Sequence, residues 1–545
     1  MNPPTPDQAR DHFDAWRARV ARNAFEADPH LKSLLALYGH EDLAEGLSRF
    51  GGASATLDAL VRENNRDENL PRLRRYDGQG NRLEAIDFHP TYHEIGRIVY
   101  GTGLMGMYRE PGNEVGVLSY MYLVAQNGEA GHACPLACTA GLIKILQADD
   151  AEHDAWLQKL YNPDYDTHFH GSQFLTEVQG GSDVGANAVV ATPAEDGSFR
   201  ITGEKWFCSV IDAHLFLVTA RPEGQADGTR GLRAFVVPRS LPDGRVNDFV
   251  VRRLKYKLGT RSMASAEVDF QGAVGFPVGN FHQVVGIVLN TSRLFNAAAS
   301  AGIAQRAWRE ADAYARHRMA FGQPILRFPA VARTVAQLRT QAYAIRSVTF
   351  ALAHLSDRMH RGDASDSEAA AWRMLVNLNK YWTSIAGTTC VRDAIEVFGG
   401  NGAIEEFTVL PRLLRDSIVC EAWEGSHNVL CAQTLRDSRR LGLHRPTFAW
   451  LDSLSGGDPR LDAIRARWER LLELPEAEAS LHIRDVVDEL GPVAQAIVLG
   501  AEAAREGSDP LLPTVIDHLL TTTARGYDPM QDATLAARIE ALIEP

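Results

Sequence analysis

The sequence predicts a mainly α chain with a central β-domain, an α + β protein of several domains. Three observations predict it. At 545 residues the chain exceeds what one hydrophobic core usually holds. Apolar residues recur at helical spacing over most of its length, with 45% of residues hydrophobic and 23% charged, ordinary values for a globular protein. One stretch in the middle shifts to the shorter period of strands.

Taken in order, residues 1–170 read as an N-terminal helical domain. Its helical spacing is clear from Pro6 to Phe13 and in the small, apolar run from Ala137 to Ala148. The turn Asn162-Pro163-Asp164 punctuates its end. Residues 171–285 read as a β-domain. Phe199–Gly203, His214–Val218 and Arg233–Pro238 have strand composition, and Asp196-Gly197-Ser198 and Pro242-Asp243-Gly244 are turns. Residues 286–436 return to long helices. Arg293–Ala315 and Val331–Met359 are rich in Ala and Leu at helix spacing, and the second ends near Gly362. Residues 437–545 are helical again, with breaks expected at Gly456-Gly457-Asp458-Pro459 and at Gly491-Pro492. There is no internal repeat and no low-complexity tract.

Composition narrows the function classes. No run of about 18 apolar residues occurs, so no membrane span is expected. The start Met1-Asn2-Pro3-Pro4-Thr5-Pro6 has neither a basic region nor an apolar core, so a cytoplasmic location is expected. Six scattered cysteines fit a reducing compartment, not a disulfide scaffold. Cys134 and Cys138 are spaced to share a helix face. No second pair completes a zinc site, so they read as buried small residues and no metal is expected. The net charge of −13 opposes general affinity for nucleic acid.

Two distant segments carry the chemistry. The first is Phe174-Leu175-Thr176-Glu177-Val178-Gln179-Gly180-Gly181-Ser182-Asp183, followed by Gly203-Glu204-Lys205-Trp206-Phe207-Cys208-Ser209. Hydroxyls, a glycine turn and flat rings suit a large planar cofactor bearing a diphosphate. The second is Trp423-Glu424-Gly425-Ser426-His427-Asn428, which sets one carboxylate between a tryptophan and a glycine, where it can act as a base.

Together these segments resemble the acyl-CoA dehydrogenase flavoproteins, and Thr-Glu-Val-Gln-Gly-Gly-Ser-Asp is similar to the alkylation-response AidB branch. The resemblance spans roughly residues 75 to 436. Leu73-Arg74-Arg75-Tyr76-Asp77-Gly78-Gln79-Gly80-Asn81-Arg82-Leu83 and Phe88-His89-Pro90 also resemble that branch. It implies an N-terminal helical domain, a β-barrel-like middle domain, a C-terminal four-helix bundle and, in the AidB branch, a further helical domain, for which residues 437–545 are long enough.

The resemblance also implies FAD. Thr176 and Ser209 take the family's hydroxyl positions beside the flavin ring, Gly180-Gly181 allows close backbone approach, and Ser182 reaches the pyrophosphate. Phe207 falls where the family has a stacking tryptophan; Trp206 is one residue earlier, so either ring is a candidate. Cys208 lies between them and Ser209. Tyr314-Ala315-Arg316-His317-Arg318-Met319-Ala320-Phe321-Gly322-Gln323-Pro324-Ile325 resembles a family segment whose arginine and phenylalanine reach FAD in a neighbouring subunit. Arg318 and Phe321 take those places, and a guanidinium matches phosphate oxygens bidentately. Gly399-Gly400-Asn401-Gly402, after Phe398, resembles the loop over the FAD diphosphate, again across a subunit boundary. A homotetramer follows from the resemblance. Trp423 and Asn428 fall at flavin positions of the AidB branch.

Glu424 takes the position of the base that removes the α-proton of an acyl-CoA. An apolar surrounding would raise its pKa, and its backbone N–H would help hold the thioester carbonyl. Glu421 is the rival acid, and the motif register selects Glu424. Arg261, in Lys257-Leu258-Gly259-Thr260-Arg261-Ser262, resembles a residue at the active-site mouth, with a plain loop as the equal alternative. Arg293 resembles the start of a helix bordering the acyl cavity. Arg412 and Arg415 read as ion-pairing residues. The expected partners are an acyl-CoA substrate and an electron-transfer flavoprotein or similar acceptor.

Three other readings compete. A DNA-associated AidB-like protein needs a basic tail, yet residues 437–545 hold 11 Arg, no Lys and 19 Asp and Glu, a net −8. Arg436, Arg439 and Arg440 form its one short basic cluster. A nitroalkane oxidase would use aspartate where this chain has Glu424. A non-catalytic flavin scaffold would leave that carboxylate surplus.

Overall fold

The long helices of the C-terminal half begin and end where their caps dictate. We describe residues 5–544 of the chain in a computed structural model; Met1–Pro4 of the N-terminal stretch lie outside the described residues. The helix Pro329–Arg361 starts on a proline and stops at Gly362, whose φ of 78° is the left-handed conformation that glycine adopts without strain. Asp366–Phe398 opens on a reciprocal capping box between Ser365 and Glu368. His427–Leu441 stops at Gly442 in the left-handed region.

The chain packs as two compact units. The first comprises the chain up to Asp58, Pro111–Gly128 and everything from Leu294 onward. It is helical. Asn290–His317 from Leu294 onward, Pro329–Arg361 and Asp366–Phe398 are its longest helices in the middle of the chain, and Glu476–Ala503 is the longest of the tail. A fully buried polar network lies inside it. Arg346 pairs with Asp28 at 2.6 Å and donates to the His30 ring. Glu502 accepts from Ser347 at 2.9 Å and faces His30 Nε2 at 3.1 Å.

The tail helix corrects one expectation. Gly491-Pro492 does not break it; both residues lie inside Glu476–Ala503. A proline there removes one backbone donor. Trp382 packs on Gly491, where a Cβ would stand 3.0 Å from its Nε1, and that N–H donates to the Val487 carbonyl at 3.0 Å. The carbonyl that Pro492 leaves without its helical donor is that of Asp488, so the bond from Trp382 ties down the helix beside its weakest turn and does not replace the missing one.

The second unit comprises Ala59–Glu110 and Glu129–Arg293. It holds a hairpin within the stretch read as helical: β1 (Arg72–Tyr76) and β2 (Arg82–Asp87). Asp77 makes the turn, its carboxylate accepting from the Gln79 and Asn81 N–H groups at 2.8 Å each. The main sheet has seven strands: β3 (Gly171–Phe174), β4 (Val190–Pro193), β5 (Phe199–Ser209), β6 (Leu215–Pro222), β7 (Arg233–Pro238), β8 (Phe249–Leu254) and β9 (Ser265–Asn280). Five close into a ring, because β6 pairs with β4, β4 with β5, β5 with β9, β9 with β7, and β7 with β6. This is a small barrel, whose closure gives each of these five strands a neighbour on both sides. β3 adds in parallel to β6 and β8 pairs antiparallel with β9. Phe174, Phe216, Phe249 and Phe270 are buried in its core, with successive ring centroids 4.8, 5.4 and 6.4 Å apart. No helix among the described residues is long and apolar enough to cross a membrane.

Candidate functional site

In the second unit, the expected flavin segment is a tight turn anchored from beneath. Glu177 and Gly180 exchange backbone hydrogen bonds of 3.0 and 3.2 Å. A Cβ on Gly180 would run into the Asp183 carbonyl, so this position needs glycine. The Trp206 N–H donates to the Thr176 carbonyl at 2.9 Å, tying the turn to β5. The anchor is a buried ion pair, Lys205 Nζ to Glu177 Oε1 at 2.6 Å, with both side chains almost fully buried. The Glu177 carboxylate also accepts from the N–H groups of Ala188 at 2.6 Å and Val189 at 3.3 Å. Burial pulls the Lys205 ammonium down to about 8, against the opposing pull of Glu177.

Above that anchor the turn is open. Gly181 and Ser182 are exposed and Thr176 is half-buried. Neither the Thr176 nor the Ser182 hydroxyl has a hydrogen-bond partner among the described residues. On β5 the register with β9 shifts between Lys205 and Cys208. This bulge breaks the alternation of the strand. Lys205 is buried, Trp206 half-buried, Phe207 51% exposed and Cys208 buried. The Lys255 ammonium lies 3.5 Å from the centre of the Trp206 ring and 4.8 Å from that of Phe207. Phe207 therefore offers the more open ring. Cys208 faces inward, and burial pushes its thiol well above the usual range. Ser209 Oγ is 3.0 Å from Ser265 Oγ.

Arg261 and Arg293 also lie in this unit. Arg261 donates to Asp67 Oδ1 at 2.7 Å and lies 5.4 Å from the ring centre of Tyr256, itself 86% exposed. Arg293 is buried, one turn into Asn290–His317, and its Nη1 is 3.4 Å from Asn290 Oδ1. A single wide turn, Val284–Leu289, precedes that helix.

In the first unit, two expected cofactor segments come together. The end of Asn290–His317 runs into a two-residue hairpin, Met319-Ala320 against Gln323-Pro324. Its corner is Phe321 and Gly322, with φ of 49° and 82°. The Phe321 ring is 96% exposed. Arg318 lies 5.6 Å from the ring centre of Phe13 and has no carboxylate partner among the described residues. Tyr314 stacks on Phe398 at 4.0 Å, and its hydroxyl accepts from Asn401 Nδ2 at 3.1 Å. The loop 399–402 is thereby fixed to the helix that carries Arg318. Around Gly399 and Gly400 the space is open, whereas Gly402 packs so closely that a Cβ would stand 2.8 Å from the Ile395 carbonyl.

Glu424 occupies a strained corner between helices. Leu410–Ala422 ends, Trp423 is extended, and Glu424 takes a φ of 56°, followed by Gly425 at 102°. A left-handed glutamate persists only where its surroundings hold it. Trp423 Nε1 donates to Asn296 Oδ1, and Asn296 Nδ2 donates to the Cys420 carbonyl at 3.2 Å. Lys380 Nζ donates to the carbonyls of Glu421 at 3.0 Å and Gly425 at 2.8 Å. The Glu424 side chain is half-buried and Asn428 is exposed. His427 lies 3.8 Å from Glu421, and burial, then the charge of Lys380, lowers its pKa.

Sequence reasoning missed Lys380, Asn296 and the Glu177–Lys205 anchor. A lysine in Asn377-Leu378-Asn379-Lys380-Tyr381-Trp382, the one charged residue of a buried, uncharged stretch, was the available signal. Of the two arginines near Leu413-Leu414, Arg415 pairs with Glu405, while Arg412 donates to the Asn127 carbonyl at 3.0 Å.

In the second unit, hydroxyls without partners on an anchored glycine turn and an open ring at Phe207 fit a flavin dinucleotide; in the first unit, taken by itself, an arginine without a carboxylate and an open glycine loop fit a diphosphate. Comparison with known proteins agrees. Residues 281–438 match the acyl-CoA dehydrogenase C-terminal domain, residues 172–273 its middle domain, and residues 17–167 the adaptive response protein AidB N-terminal domain. The chain is 32% identical over 469 residues to the putative acyl-CoA dehydrogenase AidB of Escherichia coli (strain K12), a match covering 83% of this chain and 84% of that protein. The chain belongs to the acyl-CoA dehydrogenase family. Acyl-CoA dehydrogenases are FAD flavoproteins, and this one is an oxidoreductase of the AidB-like branch. It is also 29% identical to acyl-CoA dehydrogenase family member 11 of Caenorhabditis elegans over 531 residues, 93% of this chain and 83% of that one. Among solved structures, C. elegans ACDH-11 in complex with C11-CoA superposes with a TM-score of 0.82 at 26% identity, covering 91% of this chain and 90% of that one. The Bd2924 apo-form gives the same TM-score at 27% identity, covering 88% and 98%.

Proposed function

We propose that this acyl-CoA dehydrogenase oxidises an acyl-CoA at its α,β bond, with Glu424 as the base that takes the α-proton. One observation carries the reading: the motif carboxylate sits at a left-handed corner fixed by side chains from two other helices, Asn296 and Lys380. Strain held at one glutamate by buried partners is the mark of a positioned group. Glu424 removes the proton, and its own backbone N–H helps to hold the thioester carbonyl as charge develops there. FAD, when bound, supplies the acceptor for the β-hydride. The thioester leaves as its α,β-unsaturated product, and the electron pair passes on to an electron-transfer flavoprotein or similar acceptor.

Thr176, Gly181, Ser182, Phe207 and Ser209 would hold the ring and pyrophosphate from the middle domain. Arg318, Phe321 and the 399–402 loop would reach the FAD of a neighbouring subunit in a homotetramer. Cys208 contributes through its backbone alone, since its side chain is buried. Trp423 and Asn428 are the cofactor contacts proposed beside Glu424, and Arg261 and Arg293 the substrate contacts. The ACDH-11 complex supports a CoA thioester as substrate.

DNA is not part of the proposal. Of the basic cluster at the start of the acidic tail, Arg436 pairs with Asp437 at 3.3 Å and Arg439 donates to the Leu474 carbonyl. Those contacts compete with phosphate for both cations.

The test is anaerobic bleaching of the flavin band by a panel of acyl-CoAs that includes C11-CoA, repeated with Glu424→Gln. Wild type bleaches with at least one thioester, and the variant retains FAD but bleaches orders of magnitude more slowly. Equal rates remove Glu424 from the mechanism.

A further inference from the structure

We propose that Lys380 is a positioning residue for Glu424; the proposal rests on the reading of Glu424 as the base. Lys380 lies at the middle of Asp366–Phe398 and is 0% exposed. A lysine so placed must spend its ammonium on strong acceptors, because an unpaired buried charge is costly. Two of its acceptors are the carbonyls of Glu421 and Gly425. Those residues bracket Glu424: one is in the last turn of Leu410–Ala422, the other follows Glu424 directly. Between them the backbone leaves the helix and passes through φ of 56° and 102°. One cation thus clamps both ends of the turn that carries the carboxylate.

The clamp is itself held. Ser384, one turn on from Lys380, places its Oγ 3.4 Å from His427 Nε2. The adjacent Tyr381 donates to Asp488 at 2.6 Å and accepts from Arg484 Nε at 3.0 Å, both on the tail helix Glu476–Ala503. The helix that carries Lys380 is therefore braced against the tail next to the clamp. Without the ammonium, the two carbonyls lose a shared donor and the left-handed glutamate can relax toward an ordinary conformation. A displacement of about 1 Å at a catalytic group costs on the order of a hundredfold in rate.

The experiment follows α-proton exchange of C11-CoA in D2O by mass spectrometry, with FAD-loaded wild type, Lys380→Met and Lys380→Arg. Affinity for the corresponding 2-enoyl-CoA is measured in parallel by calorimetry. Lys380→Met should lose about a hundredfold in exchange rate while its affinity stays within about threefold. Lys380→Arg keeps donors for both carbonyls and should recover at least a tenth of the wild-type rate. Added to Glu424→Gln, Lys380→Met should cause no further loss, because it acts through the carboxylate. Exchange by Lys380→Met within threefold of wild type overturns the proposal. So does an equal fall of exchange, affinity and melting temperature with no recovery in Lys380→Arg, which is the pattern of a structural lysine. If Lys380→Met does not fold, Lys380→Gln is read by the same criteria. Wild type that exchanges no thioester sinks the assignment of Glu424 first, and the proposal with it.

Discussion

Replacing Glu177 with glutamine should weaken the middle domain strongly at pH 7 and less as pH rises. Four donors reach the Glu177 carboxylate: Lys205 Nζ, the N–H groups of Ala188 and Val189, and Gln179 Nε2. An amide has one acceptor oxygen, so in Glu177→Gln two of these face an NH2 group. Removing one partner of a buried ion pair costs about 3–5 kcal/mol. Lys205 limits the loss by discharging. Its pKa is already down to about 8, so shedding its proton at pH 7 costs only about 1.4 kcal/mol. With one unpaired backbone donor worth about 1 kcal/mol, the net loss is about 2.4 kcal/mol. That corresponds to roughly 5–10 °C in the melting of a domain of this size. The sign with pH follows from the same group. Lys205 carries its proton up to about pH 8 in the wild type and loses it at lower pH in the variant, so the folded wild type binds more protons between those values. The unfolded chain keeps this proton throughout that window, so raising the pH leaves the stability of the wild type level while the variant gains, and the gap narrows. Thermal unfolding followed by circular dichroism from pH 6.5 to 9, with FAD present and absent, measures both effects. A variant that melts within 2 °C of wild type at pH 7, or a gap that widens with pH, refutes the account of the anchor.

Further outcomes are expected. Glu424→Gly relieves a left-handed side chain, worth about 1–2 kcal/mol, against about 0.5–1 kcal/mol of added glycine entropy, so the protein should melt no lower than wild type while losing α-proton exchange; a marked fall in melting temperature would show that the corner is not strained. Burial raises Glu502 to about 8, so its contribution to stability is complete below its unfolded pKa and is lost as pH rises through about 8. Glu502→Gln should therefore gain on wild type in thermal melts between pH 5 and 9, and a constant difference across that range contradicts the assignment. Light scattering should show the flavin-loaded protein as a homotetramer, and a flavin-loaded monomer would contradict the cross-subunit role proposed for Arg318.

The helices were legible because their signals are local. The run Val331–Met359 shows its period and its stop at Gly362 within one stretch of sequence, and Asp196-Gly197-Ser198 marks its turn in three residues. The hairpin at Arg72–Asp87 was hidden, because short strands rich in arginine lack the apolar alternation that marks a strand. Pro492 misled in the other direction: the donor that steadies its helix comes from Trp382, more than a hundred residues away. At the candidate site, the residue types of the cofactor segments could be read from their motif. The bulge that turns Trp206 and Phe207 out together could not, since it depends on pairing with β9. The corner at Glu424 was also hidden. Its conformation is set by Asn296 and Lys380, which stand far from it in sequence and share no motif with it.

The most direct test of the central claim is the α-proton exchange rate of C11-CoA in D2O with FAD-loaded wild type and Glu424→Gln. The account predicts measurable exchange by the wild type and a fall of several orders of magnitude in the variant, with FAD retained by both. Exchange at the same rate in the two proteins would contradict it.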